Sequence, residues 1–174
     1  MITDRQTAEK PKAKLQKRAF ARLGYTKMET AELVDAMNKL LANYSVHYQK
    51  LRNFHWNVKG SDFFDIHEQF EQQYNDAKVA IDDIAERIRV FGQTPLSNMR
   101  DYLETSDIKE SSTDLSGMEM VSEILRDYET LLEHMFNTID VALNNGDSGT
   151  VAMLNSMVKY IEKKHWMLTA FSKK

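Results

Sequence analysis

Residues Phe63–Phe91 read FFDIHEQFEQQYNDAKVAIDDIAERIRVF. Apolar side chains recur at Phe63, Phe70, Tyr74, Ala77, Ile81, Ile84, Ile88 and Phe91, in steps of three, four and seven. That is the period of an α-helix with one buried face, not the two-residue alternation of a strand. Gly92 and Pro95 stop it. A helix of this length runs about 40 Å at 1.5 Å per residue, so its apolar face needs partners of similar length.

Those partners are present on both sides. Upstream, Leu33, Met37, Leu40, Leu41, Tyr44, Tyr48, Leu51 and Phe54 form a second stripe that ends near Asn57. Thr26-Lys27-Met28-Glu29 has the capping-box spacing and is expected to start that helix. The link Val58-Lys59-Gly60-Ser61 is short, which forces the two helices into an antiparallel hairpin. Downstream, the pattern breaks between Pro95 and Thr113, leaving a short helix around 98–104 and a serine-rich loop. Ser116-Gly117-Met118-Glu119 repeats the capping box and opens a helix with Val121, Leu125, Tyr128, Leu132, Met135, Ile139 and Leu143 inward. Asn144-Asn145-Gly146 closes it, and a last helix from about Ser148 presents Val151, Leu154, Val158, Ile161, His165, Leu168 and Phe171. The expected fold is all-α: two hairpins joined by a long crossover with a short helix in it, a four-helix bundle of ferritin-like connectivity.

Composition agrees. The 174 residues are 42% apolar and 28% charged, a globular balance that fits one domain. Six glycines and two prolines supply too few turns for an all-β chain. The absence of cysteine removes disulfides, thiolate zinc sites and cysteine nucleophiles, and no apolar run reaches the roughly 18 residues of a membrane span. The expectation is a cytoplasmic protein with no membrane partner. Charge is unevenly spread. Residues 1–27 hold eight basic and two acidic side chains, a net +6, so the net −3 of the chain hides −9 on residues 28–174. The chain divides into a basic arm, 1–27, and a bundle domain, 28–174. The stretch 14–24 could fold as a short helix with a partner.

The polar face of Phe63–Phe91 carries the chemistry. His67 and Glu71 lie four apart, as do Asp82 and Glu86, and at 100° per residue both pairs share one stripe. Eleven residues of rise place Glu71 about 16 Å from Asp82, too far for one metal in one chain. The two pairs are symmetric about the middle of the helix, between Asp76 and Ala77. An antiparallel two-fold crossing there would bring His67 to the partner's Glu86 and Glu71 to the partner's Asp82, giving two equivalent mixed sites. His55 and His67 lie equally far from Ser61, so the hairpin sets them at one height. Imidazole and carboxylate ligands of this kind suit Fe(II), Zn(II) or Mn(II). The competing reading is a solvated helix face that only matches charge across a dimer.

Three segments carry a resemblance: Asn53-Phe54-His55-Trp56-Asn57-Val58-Lys59-Gly60, then Phe63-Phe64-Asp65-Ile66-His67-Glu68-Gln69-Phe70-Glu71, then Asp82-Asp83-Ile84-Ala85-Glu86-Arg87. Together they resemble the Dps family, the DNA-binding proteins from starved cells, from about Thr30 to Phe171. The resemblance implies a homo-oligomeric, dodecameric shell with a ferroxidase site at each two-fold interface. His55, His67 and Glu71 would come from one chain and Asp82 and Glu86 from its partner. The implied reaction is oxidation of Fe(II) to Fe(III), preferably by hydrogen peroxide, with ferric mineral stored inside. Trp56 could donate an electron or simply pack. Glu68 and Glu71 could face the cavity.

Other residues are read more plainly. Glu162-Lys163-Lys164-His165 is a single E-x-x-H, and di-iron sites inside one bundle need two, so His165 is expected in the core or at a helix end. His47 and His134 are expected at the surface or an interface. Asp147 is the one carboxylate near the start of the last helix, where relatives line a pore with several, so iron entry is expected to be slower or elsewhere. The alternative function is sequence-independent DNA binding through Lys10, Lys12, Lys14, Lys17 and Arg18, with nucleoid association and metal binding secondary.

Overall fold

The computed structural model describes residues 25–173. Five helices follow one another: α1, Ala31–Asn57; α2, Phe63–Val90; α3, Met99–Thr105; α4, Gly117–Asn144; and α5, Ser148–Ser172. α1 packs against α2, α4 and α3, and α5 packs against α4. Gly92 (φ 72°) and Gly146 (φ 61°) take the left-handed conformation that ends α2 and α4 without steric cost.

The buried stripes are those that the period demands. Leu33, Met37, Leu40, Leu41, Leu51 and Phe54 of α1 meet Phe70, Ala77, Ile84 and Ile88 of α2 and Val121, Tyr128 and Met135 of α4. α4 begins with the expected capping box: Ser116 accepts from the Glu119 amide and Glu119 accepts from the Ser116 amide. The Thr26–Glu29 box also forms, but on a turn before α1 rather than on its first turn, and regular helix starts at Ala31. At the far ends, Leu143 and Phe171 are exposed in the isolated subunit rather than inward.

The crossover returns the chain along the whole bundle, because α4 starts beside Val58 and Ile66, near the beginning of α2. One buried side chain organises it. The Asn43 carboxamide oxygen accepts from the Ser106 hydroxyl and from the amides of Asp107 and Ile108, at 3.0–3.1 Å. Lys39 donates to the Thr105 carbonyl and to Asp107, and Asn38 accepts from the Leu96 amide.

His47 is not at a surface. It is 1% exposed in the bundle core, where its Nδ1 meets Asp127 at 2.9 Å and Lys50 donates to the same carboxylate at 2.6 Å. His47, Asp127 and Lys50 thereby satisfy one another inside the bundle, and Glu123 lies 3.7 Å from the same ammonium. His134 remains half-exposed on Asp107, and half-buried His165 lies 3.7 Å from Glu129. Lys10, Lys12, Lys14, Lys17, Arg18 and the stretch 14–24 lie outside the described residues. Tyr25 and Thr26 belong to the bundle: the Tyr25 ring meets Phe91 edge-on and its hydroxyl donates to Asp147.

Candidate metal centre

The short link between α1 and α2 brings His55, in the last turn of one helix, against His67, in the second turn of the other. The rings stack at 3.8 Å between centroids, with planes 21° apart. Each Nδ1 contacts the other residue's backbone carbonyl: His55 Nδ1 to His67 O at 2.9 Å, and His67 Nδ1 to His55 O at 2.8 Å. A carbonyl takes only a proton-bearing nitrogen, so both Nδ1 atoms donate, and in the neutral rings that leaves each Nε2 with a lone pair for a metal. The His55 carbonyl lies at the end of α1, where helical carbonyls lack partners, so the clamp also completes the helix.

Aromatic rings hold the pair from both sides. Phe63 stacks on His67 at 4.9 Å and Tyr74 meets His55 edge-on at 5.3 Å. Glu71, one turn after His67, completes the only group of three or more potential metal ligands among the described residues. One donor atom from each of His55, His67 and Glu71 lies within 4.8 Å of the others. Burial deepens across the group, from exposed Glu71 through half-buried His67 to buried His55. Tyr74 donates to Glu71 at 3.4 Å; desolvation, and then the Glu71 charge, push the phenol above its ordinary pKa and keep it a donor. The helical period places Tyr74 on the core side, and its three-residue spacing from Glu71 also brings the hydroxyl to that carboxylate.

Asp82 and Glu86 sit on the same stripe of α2, three turns and more beyond Glu71. Both are exposed, and neither makes a hydrogen bond or ion pair among the described residues. The structure therefore brings three of the five expected ligands together and leaves the other two free on the surface. Trp56 is also exposed, with the Arg52 guanidinium 4.7 Å from its ring. The bundle interior, where one chain could in principle hold a metal, contains the Lys50 ammonium and the engaged Asp127 instead.

Asp147 is not a pore-lining anion within the subunit. Its side chain is fully buried and caps α5, accepting from the amides of Gly149 and Thr150 and pairing with Arg87 at 2.5 Å. A Cβ at Gly149 would stand 2.7 Å from the Arg87 guanidinium, so a larger residue there would require the paired arginine to shift. Burial pushes the carboxyl pKa up, but the Thr150 hydroxyl, Arg87, the Thr150 amide and Tyr25 outweigh it and hold it below the ordinary 3.8. A depressed folded-state value stabilises the fold above the unfolded pKa, and that stability is lost as pH falls through the folded value. Asp147→Asn is expected to cost about 3 kcal/mol at neutral pH and to flatten the acid limb of the unfolding profile below about pH 4. Urea melts across that range check both.

Comparison with known proteins gives one consistent result. The ferritin-like domain family matches residues 34–174. DNA protection during starvation protein 2 of Bacillus anthracis is 40% identical over 140 residues, covering 80% of this chain and 96% of that protein. General stress protein 20U of Bacillus subtilis is 41% identical over 140 residues, covering 80% of this chain and 97% of that protein. Among solved structures, a Dps protein of Vibrio cholerae, described as a member of a broad superfamily of ferritin-like diiron-carboxylate proteins, superposes with a TM-score of 0.84 at 34% identity. That superposition covers 86% of this chain and 94% of the other. The Dps protein of Bacillus brevis gives 0.82 at 37% identity, covering 85% and 99%.

Proposed function

This chain belongs to the Dps branch of the ferritin-like family, and on that footing we propose that it oxidises Fe(II) at paired sites between subunits and stores the ferric product inside a homo-oligomeric shell. The observation that carries the reading is the stacked, mutually clamped histidine pair. Lone pairs lie in the ring planes, and two near-parallel rings with centroids 3.8 Å apart do not aim both lone pairs at one ion about 2.1 Å from each nitrogen. The pair suits two neighbouring ions, one per imidazole.

Glu71 then supplies oxygen from the same chain, and Asp82 and Glu86 of a second copy supply it from the facing chain. Anionic oxygens favour Fe(III) over Fe(II) and lower the cost of electron loss. Two Fe(II) ions give one hydrogen peroxide two electrons, and its O–O bond cleaves to two hydroxide ions without releasing hydroxyl radical. Large apolar side chains left on the subunit surface, including Phe64, Phe136 and Trp166, support burial against further copies, with a dodecamer as the expected assembly. No helix among the described residues is long and apolar enough to cross a membrane.

Anaerobic Fe(II) titration followed by stopped-flow addition of each oxidant tests the reading. Saturation near about two Fe(II) per subunit, with peroxide faster than oxygen, supports it. Oxidation no faster than in buffer contradicts it.

The net +6 of residues 1–27 supports a second activity, sequence-independent DNA binding. Repeated arms in a shell would multiply weak phosphate contacts, and binding would fall steeply with salt. Deleting residues 1–18 is expected to abolish retention on DNA in gel-shift assays while peroxide-dependent iron oxidation persists; loss of both together would refute this division.

A further inference from the structure

A cleft of about 440 Å³ opens between α2 and α5 and reaches the middle of the bundle, away from the histidine pair. Its inner end holds an unsatisfied group. Gln73 is 2% exposed; its carboxamide oxygen accepts from the Tyr128 hydroxyl at 2.7 Å, while its Nε2 has no partner among the described residues. Buried amide donors are rarely left so, because desolvation without a hydrogen bond is costly. Beside it His47 also lines the cleft. In the neutral tautomer that donates Nδ1–H to the Asp127 carboxylate, His47 offers Nε2 as an acceptor.

The walls and mouth are different in character. Ala77, Ala80, Met153 and Met157 make apolar sides. Asp76, fixed by the Tyr160 hydroxyl at 2.6 Å, and exposed Asp83 bring negative charge, and among the described residues no lysine or arginine lines the cleft. The volume falls within the range of small-molecule sites, in which apolar walls carry a few placed polar groups.

We propose that this cleft binds a small amphipathic organic cation, with a hydroxyl at its inner end, an aromatic or aliphatic body, and an ammonium group at its outer end. The hydroxyl accepts from Gln73 Nε2 and donates to His47 Nε2, the body lies on the two methionines, and the ammonium meets Asp76 or Asp83. The site uses none of the metal ligands and is independent of iron oxidation.

Tyramine carries all three features; phenethylamine lacks the hydroxyl and p-cresol lacks the amine. Titrating each into the metal-free, full-length protein, with the Met153 and Met157 methyl signals followed by NMR, tests the assignment. Tyramine is expected to shift both signals and to bind about tenfold tighter than either truncated probe. Gln73→Leu is expected to bring tyramine down to the affinity of phenethylamine. The three-probe comparison on the unaltered protein stands without that variant. Equal affinity for all three, or no shift at these methyls up to millimolar tyramine, would overturn the proposal, as would cleft water that no probe displaces.

Discussion

Replacing His67 with alanine is expected to slow peroxide-driven Fe(II) oxidation about a hundredfold while leaving the helical content unchanged. Three losses coincide in this variant. The Nε2 ligand disappears, the His55 carbonyl loses the donor that completes α1, and the His55 ring loses the stacked neighbour that fixes its plane. The tautomer of His55 survives, since its Nδ1 still meets the residue 67 carbonyl, which is backbone. One correctly protonated imidazole therefore remains, but a second ion has no nitrogen ligand. Stopped-flow absorbance of the ferric product measures the rate, and far-UV circular dichroism controls for folding. A rate within a factor of two of the unaltered protein would remove His67 from the chemistry.

The double variant Asp82→Asn, Glu86→Gln is expected to lose oxidation to a similar extent by a different route. Both carboxylates are exposed and have no partner among the described residues, so neutralising them should change the subunit's stability by no more than about 0.5 kcal/mol. A large rate loss with an unchanged melting profile is the mark of ligands and not of charges that hold the fold. If α2 only matches charge across a dimer, the opposite holds, with modest loss of assembly and a preserved rate.

Much of this was readable in the sequence because it rests on local periodicity. The spacing of Phe70, Ala77, Ile84 and Ile88 fixes which face of α2 is buried, and equal distances from Ser61 set His55 level with His67. The Ser116 capping box is a contact between residues three apart and was equally legible. What was not legible depends on partners far along the chain. Nothing near His47 announces Asp127, eighty residues away, so a lone histidine looked like a surface group. Asn43 gives no local sign that it will hold the crossover at Ser106–Ile108. Asp147 differs from these: an aspartate just before Ser148 with Thr150 three residues on is a helix-capping pattern legible in the local sequence, and the cap accounts for its burial. Leu143 and Phe171 keep the helical period but stand where the subunit has no neighbour to cover them.

The central claim is that a working site draws on two chains, and mixed assembly tests it most directly. One variant carries His55→Ala with His67→Ala; the other carries Asp82→Asn with Glu86→Gln. Each alone is inactive. Unfolded together and reassembled at equal ratio, half of the dimers contain one of each, and in those dimers one of the two sites has all its ligands. Recovery of about one quarter of the original oxidation rate is the predicted result. No recovery from mixed assemblies of confirmed composition would contradict the account, because ligands confined to single chains can never be completed by mixing.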